Sequence, residues 1–171
     1  MKTLIVLSAL PGAGKSTYSE QFRRTHKNVF VVSSDEIRKE LTGEYQNFTM
    51  EKEVWETYLN RLNEYAKKEL DDLTVIADAT NPTNYFRKYY FENTYGYDEK
   101  ILVTIFKPWE LLLKQNMMRN EKKIVPLHAM EKLRAEWENP NQEVIELYDQ
   151  YLRINRWFSS DKVPQKFYYK D

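Results

Sequence analysis

The sequence predicts a three-layer α/β fold, with a mostly parallel sheet of four or five strands and helices on both faces. Three observations point there. Short apolar runs alternate with amphipathic helical stretches, the pattern of strands joined by crossover helices. A glycine-rich turn separates the first run from the first helical stretch. Pro82, Pro108 and Pro126 stand at the openings of further helical patterns, in the first-turn position that tolerates proline.

The elements follow in order. Thr3, Leu4, Ile5, Val6 and Leu7 are apolar without alternation, which suits a strand buried on both faces. The turn Ala9-Leu10-Pro11-Gly12-Ala13-Gly14-Lys15-Ser16-Thr17 comes next and leads into a helix through residues 18–22. A second strand fits residues 29–33, a third residues 73–77 and a fourth residues 101–106. Between the second and third, residues 51–70 read as a long helix with Val54, Trp55, Tyr58, Leu59, Leu62, Tyr65 and Ala66 on one stripe. Pro82 opens a helix that Asn81 caps, and Pro108 opens another. Pro126 opens one with the stripe Leu127, Met130, Leu133 and Trp137, which Asn139-Pro140 ends. A last helix is expected over residues 142–154, with Val144, Ile145, Tyr148, Tyr151 and Leu152 on one face. Phe167-Tyr168-Tyr169 reads either as a short strand or as a docked extension.

The 171 residues are expected to form one domain, 1–171, large enough to bury roughly 70% of the extended chain's surface. Lys plus Arg and Asp plus Glu balance at 26 each, so no global basic field draws in nucleic acid. Such a substrate needs a local groove or must be small. The absence of Cys removes disulfides, thiol catalysis and Cys-based zinc sites, and suits a cytoplasmic setting. His26 and His128 are expected on surfaces rather than on a metal. Lys2 and the apolar stretch to Leu10 superficially resemble a leader, but a cleavage region would fall in the glycine-rich turn, so no leader is expected. No segment is long enough to span a bilayer.

The turn after the first strand has the spacing of a phosphate cradle, the P-loop. Gly12 and Gly14 let the backbone approach phosphate oxygens, and successive N–H groups with the helix N-terminus bind the anion. Lys15 would reach the β- and γ-phosphates, and the Ser16 hydroxyl would ligate Mg²⁺, with Ala13 and Thr17 completing the ATP cradle. Ala9 stands where the general pattern has Gly. In parallel sheets ligands collect at the carboxyl edge of the strands. There Asp35 is either a helix N-cap or a base that takes the proton from an attacking hydroxyl. Arg38, a turn further, would hold an anionic group of the acceptor. Asp78 is either a turn former or an acid that reaches Mg²⁺. Arg119, Lys122 and Lys123 form a basic turn, either simply solvated or a lid over residues 119–126 whose arginine stabilises the transferring group. Tyr45 and Phe48 offer rings on which a base could stack.

Together these segments resemble the kinase domain of bacteriophage-type polynucleotide 5′-hydroxyl kinases, over roughly residues 1–138. The likeness rests on residues 11–17, Asp35-Glu36-Ile37-Arg38, Asp78-Ala79-Thr80-Asn81-Pro82, Phe106-Lys107-Pro108-Trp109-Glu110-Leu111, and Arg119 with Val125-Pro126. The resemblance implies a P-loop kinase fold with a helical lid, ATP and Mg²⁺, and Lys15 and Ser16 on phosphate and metal. It implies Asp35 as the base, Arg38 on the acceptor's neighbouring phosphate, Arg119 as the transition-state arginine and Asp78 as a supporting acid. Gln115 departs from the pattern, which has a second arginine there, and no sequence is left for the phosphatase domain often fused to such kinases. The expected activity is transfer of the γ-phosphoryl of ATP to a hydroxyl, foremost the 5′-hydroxyl of a DNA or RNA end. A small-molecule kinase and a nucleotide-sensing module without catalysis are the alternatives.

Overall fold

The structure, a computed structural model, describes residues 1–155 and 168–169. In chain order the elements are β1 (Lys2–Ser8), α1 (Lys15–Thr25), β2 (Val29–Ser33), α2 (Ser34–Thr42), α3 (Glu51–Tyr65), β3 (Leu73–Asp78) and α4 (Asn84–Glu92). They continue with β4 (Glu99–Ile105), α5 (Trp109–Met117), a 3₁₀ turn (Glu121–Lys123), α6 (Leu127–Glu136), α7 (Gln142–Leu147), β5 (Gln150–Ile154) and β6 (Tyr168–Tyr169). The sheet order is β2-β3-β1-β4-β5-β6, with β1 to β5 parallel and β6 antiparallel to β5.

Alternation along β1 sets up the three layers. Leu4 and Val6 point to one face, where α2, α3, α4 and α7 cover them with Ile37, Val54, Tyr58, Leu62, Tyr90, Val144 and Tyr148. Ile5 and Leu7 point to the other, against Tyr18 of α1, Leu112 of α5 and Met130 of α6. Both faces of β1 are therefore core, which explains its unbroken apolar run. Leu4, Leu7, Leu62 and Leu102 are each fully buried and contribute about 1.5–3 kcal/mol apiece. The chain leaves β1 for β2 and β3 on one side, then crosses to β4 on the other. That reversal makes the carboxyl end of β1 the switch point where an open parallel sheet binds its ligand.

Four expectations need correction. The helix expected over residues 51–70 stops at Tyr65 with Ala66 as its C-cap, because Lys2 Nζ takes the Ala66 carbonyl at 2.6 Å. The helix expected over residues 142–154 is two elements, α7 and the strand β5. Asp149 pins the start of β5, accepting from Lys100 N–H at 2.8 Å and donating its own N–H to Lys100 O at 3.0 Å. Asn81 does not cap α4; Thr83 holds that position, and Asn81 is buried with φ 44°. The α6 stripe is interrupted, since Met130 is buried but Leu127 is 55% exposed, and the helix ends at Glu136, ahead of Asn139-Pro140. Tyr168–Tyr169 is the short strand alternative for the tail, and Phe167 lies outside the described residues. His26 and His128 are exposed. Among the described residues no helix is long and apolar enough to cross a membrane.

Candidate active site

The cradle is built by β1, α1 and α5 together. Gly12 (φ 86°) and Gly14 (φ 107°) occupy the left-handed region, which glycine alone enters at no steric cost. A Cβ on Gly12 would also lie 2.6 Å from the carbonyl oxygen of Leu112, so α5 as well as a phosphate requires glycine there. Gly14 is the N-cap residue of α1 and has no side chain to close it, which leaves the N–H groups of the first turn to an anion. Ala9 is wholly buried and donates its N–H to Thr80 O at 3.0 Å, so a small side chain fits where glycine was expected. Ala13 turns its methyl into the core. Gly12, Gly14, Lys15, Ser16 and Thr17 line a cavity of about 630 Å³.

Lys15 Nζ rests on the carbonyl oxygens of Ala9 at 3.0 Å and Leu10 at 3.4 Å. Burial holds its pKa below the ordinary lysine range, against the upward pull of Asp78 and Asp35. Asp78 ends β3, where it pairs in register with Ser33 of β2. Burial raises its pKa above the ordinary carboxylate range, and Lys15 opposes that shift. Ser16 and Asp78 line the same cavity. One hydroxyl and one carboxylate are a donor set that suits Mg²⁺, which keeps waters and phosphate oxygens as its other ligands.

Asp35 lies in the first turn of α2 but is not its cap, because Ser33 Oγ accepts the N–H of Glu36. Asp35 Oδ1 takes Arg38 Nη1 at 2.9 Å, and Asp35 Oδ2 lies 3.6 Å from Arg119 Nη2. Arg38 in turn forks onto Glu51, Nε to Oε1 at 2.7 Å and Nη2 to Oε2 at 3.0 Å. The turn after α5 thus reaches across to the start of α2. Lys123 reinforces it through Glu36 at 3.0 Å, whereas Lys122 is exposed. Asn116 closes the base of this turn, exchanging 2.8 Å and 3.1 Å bonds with the backbone of Val125. Of the expected helical lid, the structure has a single 3₁₀ turn.

A second cavity of about 430 Å³ also has Asp35 in its wall. Its walls include Phe48, Trp55, Phe86, Val125 and Leu133. The two cavities share Pro11, Lys15, Asp35, Asp78 and Arg119. Phe48 belongs to the second cavity, while Tyr45 bonds Glu36 and carries Lys39 and Lys123 over its ring. Trp55 is half-buried against the core and also lines the second cavity. Glu51, Asn116 and Lys107, whose Nζ lies 3.4 Å from Gly12 O, escaped the sequence reading as site residues. No local pattern marks the first two, whose partners lie elsewhere in the chain; Lys107 was visible only within the segment 106–111, with no role attached.

Residues 4–140 match the AAA domain family. An L-seryl-tRNA(Sec) kinase of Methanococcus maripaludis is 30% identical over 144 residues, covering 80% of this chain and 53% of that protein, so the chain spans about half the length of this relative. A chain of the Pnkp1/Rnl/Hen1 RNA repair complex superposes with a TM-score of 0.69 at 25% identity, covering 86% of this chain and 46% of that one. Kti12 of Chaetomium thermophilum, solved with ADP-AlF3, superposes with a TM-score of 0.64 at 14% identity over 89% of this chain and 88% of that one, a likeness of fold. The family match runs from within β1 to past the end of α6, across the whole site, and the chain belongs to the AAA domain family with the fold of the P-loop kinases.

Proposed function

We propose that this chain is an ATP-dependent phosphotransferase that moves the γ-phosphoryl group to a hydroxyl carried by a nucleic acid, with the 5′-hydroxyl of a DNA or RNA end as first candidate. One observation carries the reading: Asp35 stands in the wall common to the phosphate cradle and the second cavity. A base in that wall faces a nucleotide on one side and an alcohol on the other. Asp35 Oδ1 is held by Arg38 at 2.9 Å, and Oδ2, more loosely paired with Arg119 at 3.6 Å, is the oxygen that receives the proton. The alcohol oxygen then bonds to the γ-phosphorus, the bond to the bridging β,γ-oxygen breaks, and ADP leaves. Lys15 and Arg119 offset the charge on the phosphoryl oxygens, and positioning supplies most of the rest. Mg²⁺, held by Ser16 and Asp78, would neutralise the β- and γ-oxygens.

A second acceptor has a specific observation in its favour. The likeness to an L-seryl-tRNA(Sec) kinase points to the hydroxyl of an amino acid esterified to tRNA. Both acceptors belong to nucleic acids, and one experiment separates them. Transfer from γ-labelled ATP is measured to a 5′-hydroxyl oligonucleotide, to seryl-tRNA, and to a panel of nucleosides and sugars. Asp35→Asn is expected to lower transfer by about 10²–10⁴-fold while ATP affinity stays within about threefold. Near-normal turnover in that variant removes Asp35 from the mechanism. Label confined to sugars returns the small-molecule kinase, and label on nothing returns the sensing module.

A further inference from the structure

Arg38 lines the second cavity with most of its guanidinium already engaged. Its side chain is 6% exposed. Three of its five N–H donors go to carboxylates, two to Glu51 and one to Asp35. Phe48 covers its face, 4.6 Å from the guanidinium carbon. Glu51 is itself fixed from the other side, since Trp55 Nε1 donates to its Oε2 at 3.2 Å. A paired fork of this kind is the strongest arrangement arginine makes with a carboxylate. Of the other cations lining the second cavity, Arg119 lies 3.6 Å from Asp35, Lys15 stands in the field of Asp78, and Lys132, 78% exposed, lies 4.0 Å from Glu136 at the solvent side. The space between them is walled by Phe48, Trp55, Phe86 and Leu133.

We propose that Glu51 is a specificity-determining residue: by closing Arg38 it withdraws the guanidinium from phosphate, so the second cavity grips its acceptor through an uncharged, flat or apolar body beside the hydroxyl. Arg38 is then a positioning residue for Asp35 rather than a phosphate contact. The assignment rests on the proposed phosphotransfer for its meaning but not for its test. With ADP and Mg²⁺ saturating the cradle, adenosine and adenosine 3′-monophosphate are titrated while the Arg38 Nε–H resonance is followed by NMR, with Arg38→Lys identifying the signal.

In the wild-type protein the two ligands should bind within about threefold of each other and leave the Arg38 signal in place. Glu51→Gln, which removes the competing charge, should bind the monophosphate at least about tenfold more tightly and move the signal, as a single charge-assisted contact would. Glu51→Asp keeps a carboxylate and should bind the monophosphate no more tightly than wild type. In turnover, Glu51→Gln should lower kcat with the KM for ATP unchanged, because Asp35 loses its fixed neighbour. A wild-type signal that moves with the monophosphate overturns the proposal, and so does a Glu51→Gln protein in which it does not move. Absence of transfer to every hydroxyl, with these titrations as expected, overturns the phosphotransfer reading alone.

Discussion

Lys15 and Asp78 each keep the other charged. Both are half-buried at the cavity wall, so desolvation works against the ammonium and against the carboxylate, and their mutual attraction opposes it. The signs set a pH window. Asp78 titrates above the ordinary aspartate range, so on acidification its charge is lost earlier than for an exposed carboxylate. Lys15 titrates below the ordinary lysine range, so on alkalinisation its charge is lost earlier than for an exposed amine. Nucleotide affinity should therefore fall on both sides within a narrower window than the reference values of about 4 and 10 allow. Asp78→Asn removes a charge that holds the Lys15 pKa up, and the alkaline limb should move to still lower pH. A binding profile whose alkaline limb stays in place in Asp78→Asn shows the two groups to be uncoupled. At this scale the sequence was legible wherever chemistry has local spacing: the cradle, Asp35 with Arg38 one turn on, and Arg119 before a proline-opened helix. It was blind to one partner of Arg38. Spacing places Arg38 beside Asp35, but its other partner, Glu51, arrives from α3 and forks onto the guanidinium.

The cradle's position relative to Asp78 depends on how β1 is tied to the segment after β3. Ser8 Oγ donates to Asn81 O at 2.6 Å, and Asn81 Nδ2 donates to Leu7 O at 2.8 Å. Arg87, wholly buried on α4, completes the tie, with Nε to Ser8 Oγ at 3.0 Å, Nη1 to Asn84 Oδ1 at 3.0 Å and Nη2 to Pro82 O at 3.3 Å. Among the described residues no carboxylate lies within ion-pair distance of it, and burial lowers its pKa to about 10 against the weaker upward pull of Tyr151 and Glu138. Two effects compete on replacement. Removing a buried unpaired charge saves its desolvation cost, while the lost bonds to a charged donor are worth about 1.5–3 kcal/mol each. Three acceptors outweigh one desolvated cation that still keeps the Trp137 ring 4.9 Å from its guanidinium carbon. Arg87→Met should therefore lose about 2 kcal/mol in denaturant unfolding, with an unchanged slope. An unchanged or raised midpoint reverses that balance. The sequence offered no hint of this tie. Asn81-Pro82 reads locally as a helix opening, and only the carbonyl of Leu7, 74 residues away, explains why Asn81 is instead turned inward.

Across the whole molecule, strand identity was legible where an apolar run admits no helical stripe, the edge strand β2 (Val29–Ser33) included, and failed where it does. β1, β3 and β4 carry unbroken apolar stretches, and their extents agree with the expected runs to within two residues at either end. β5 carries Tyr151, Leu152, Arg153 and Ile154 beside the short β6, and its apolar residues fit a helical stripe continuing from α7 equally well. The pairing of Asp149 with Lys100 decides between them, and that contact is not written locally. The assembled sheet gathers one energetic liability at a single edge: a lowered lysine and a raised aspartate, each disfavoured in its charged form relative to the unfolded chain. Nucleotide and Mg²⁺ bound at this edge would relieve both, and would bind only the folded state. Mass action then stabilises the fold by about 2.7 kcal/mol at a hundredfold excess over Kd. At about 2–4 °C per kcal/mol for a chain of this size, Mg²⁺ with ATP should raise Tm by roughly 5–10 °C. Lys15→Met should abolish the rise. Asp78→Asn should keep a smaller one that no longer depends on Mg²⁺, because the metal's carboxylate is gone while the cradle remains. A thermal scan in which Lys15→Met still gains stability from ATP would place the nucleotide somewhere other than the turn after β1.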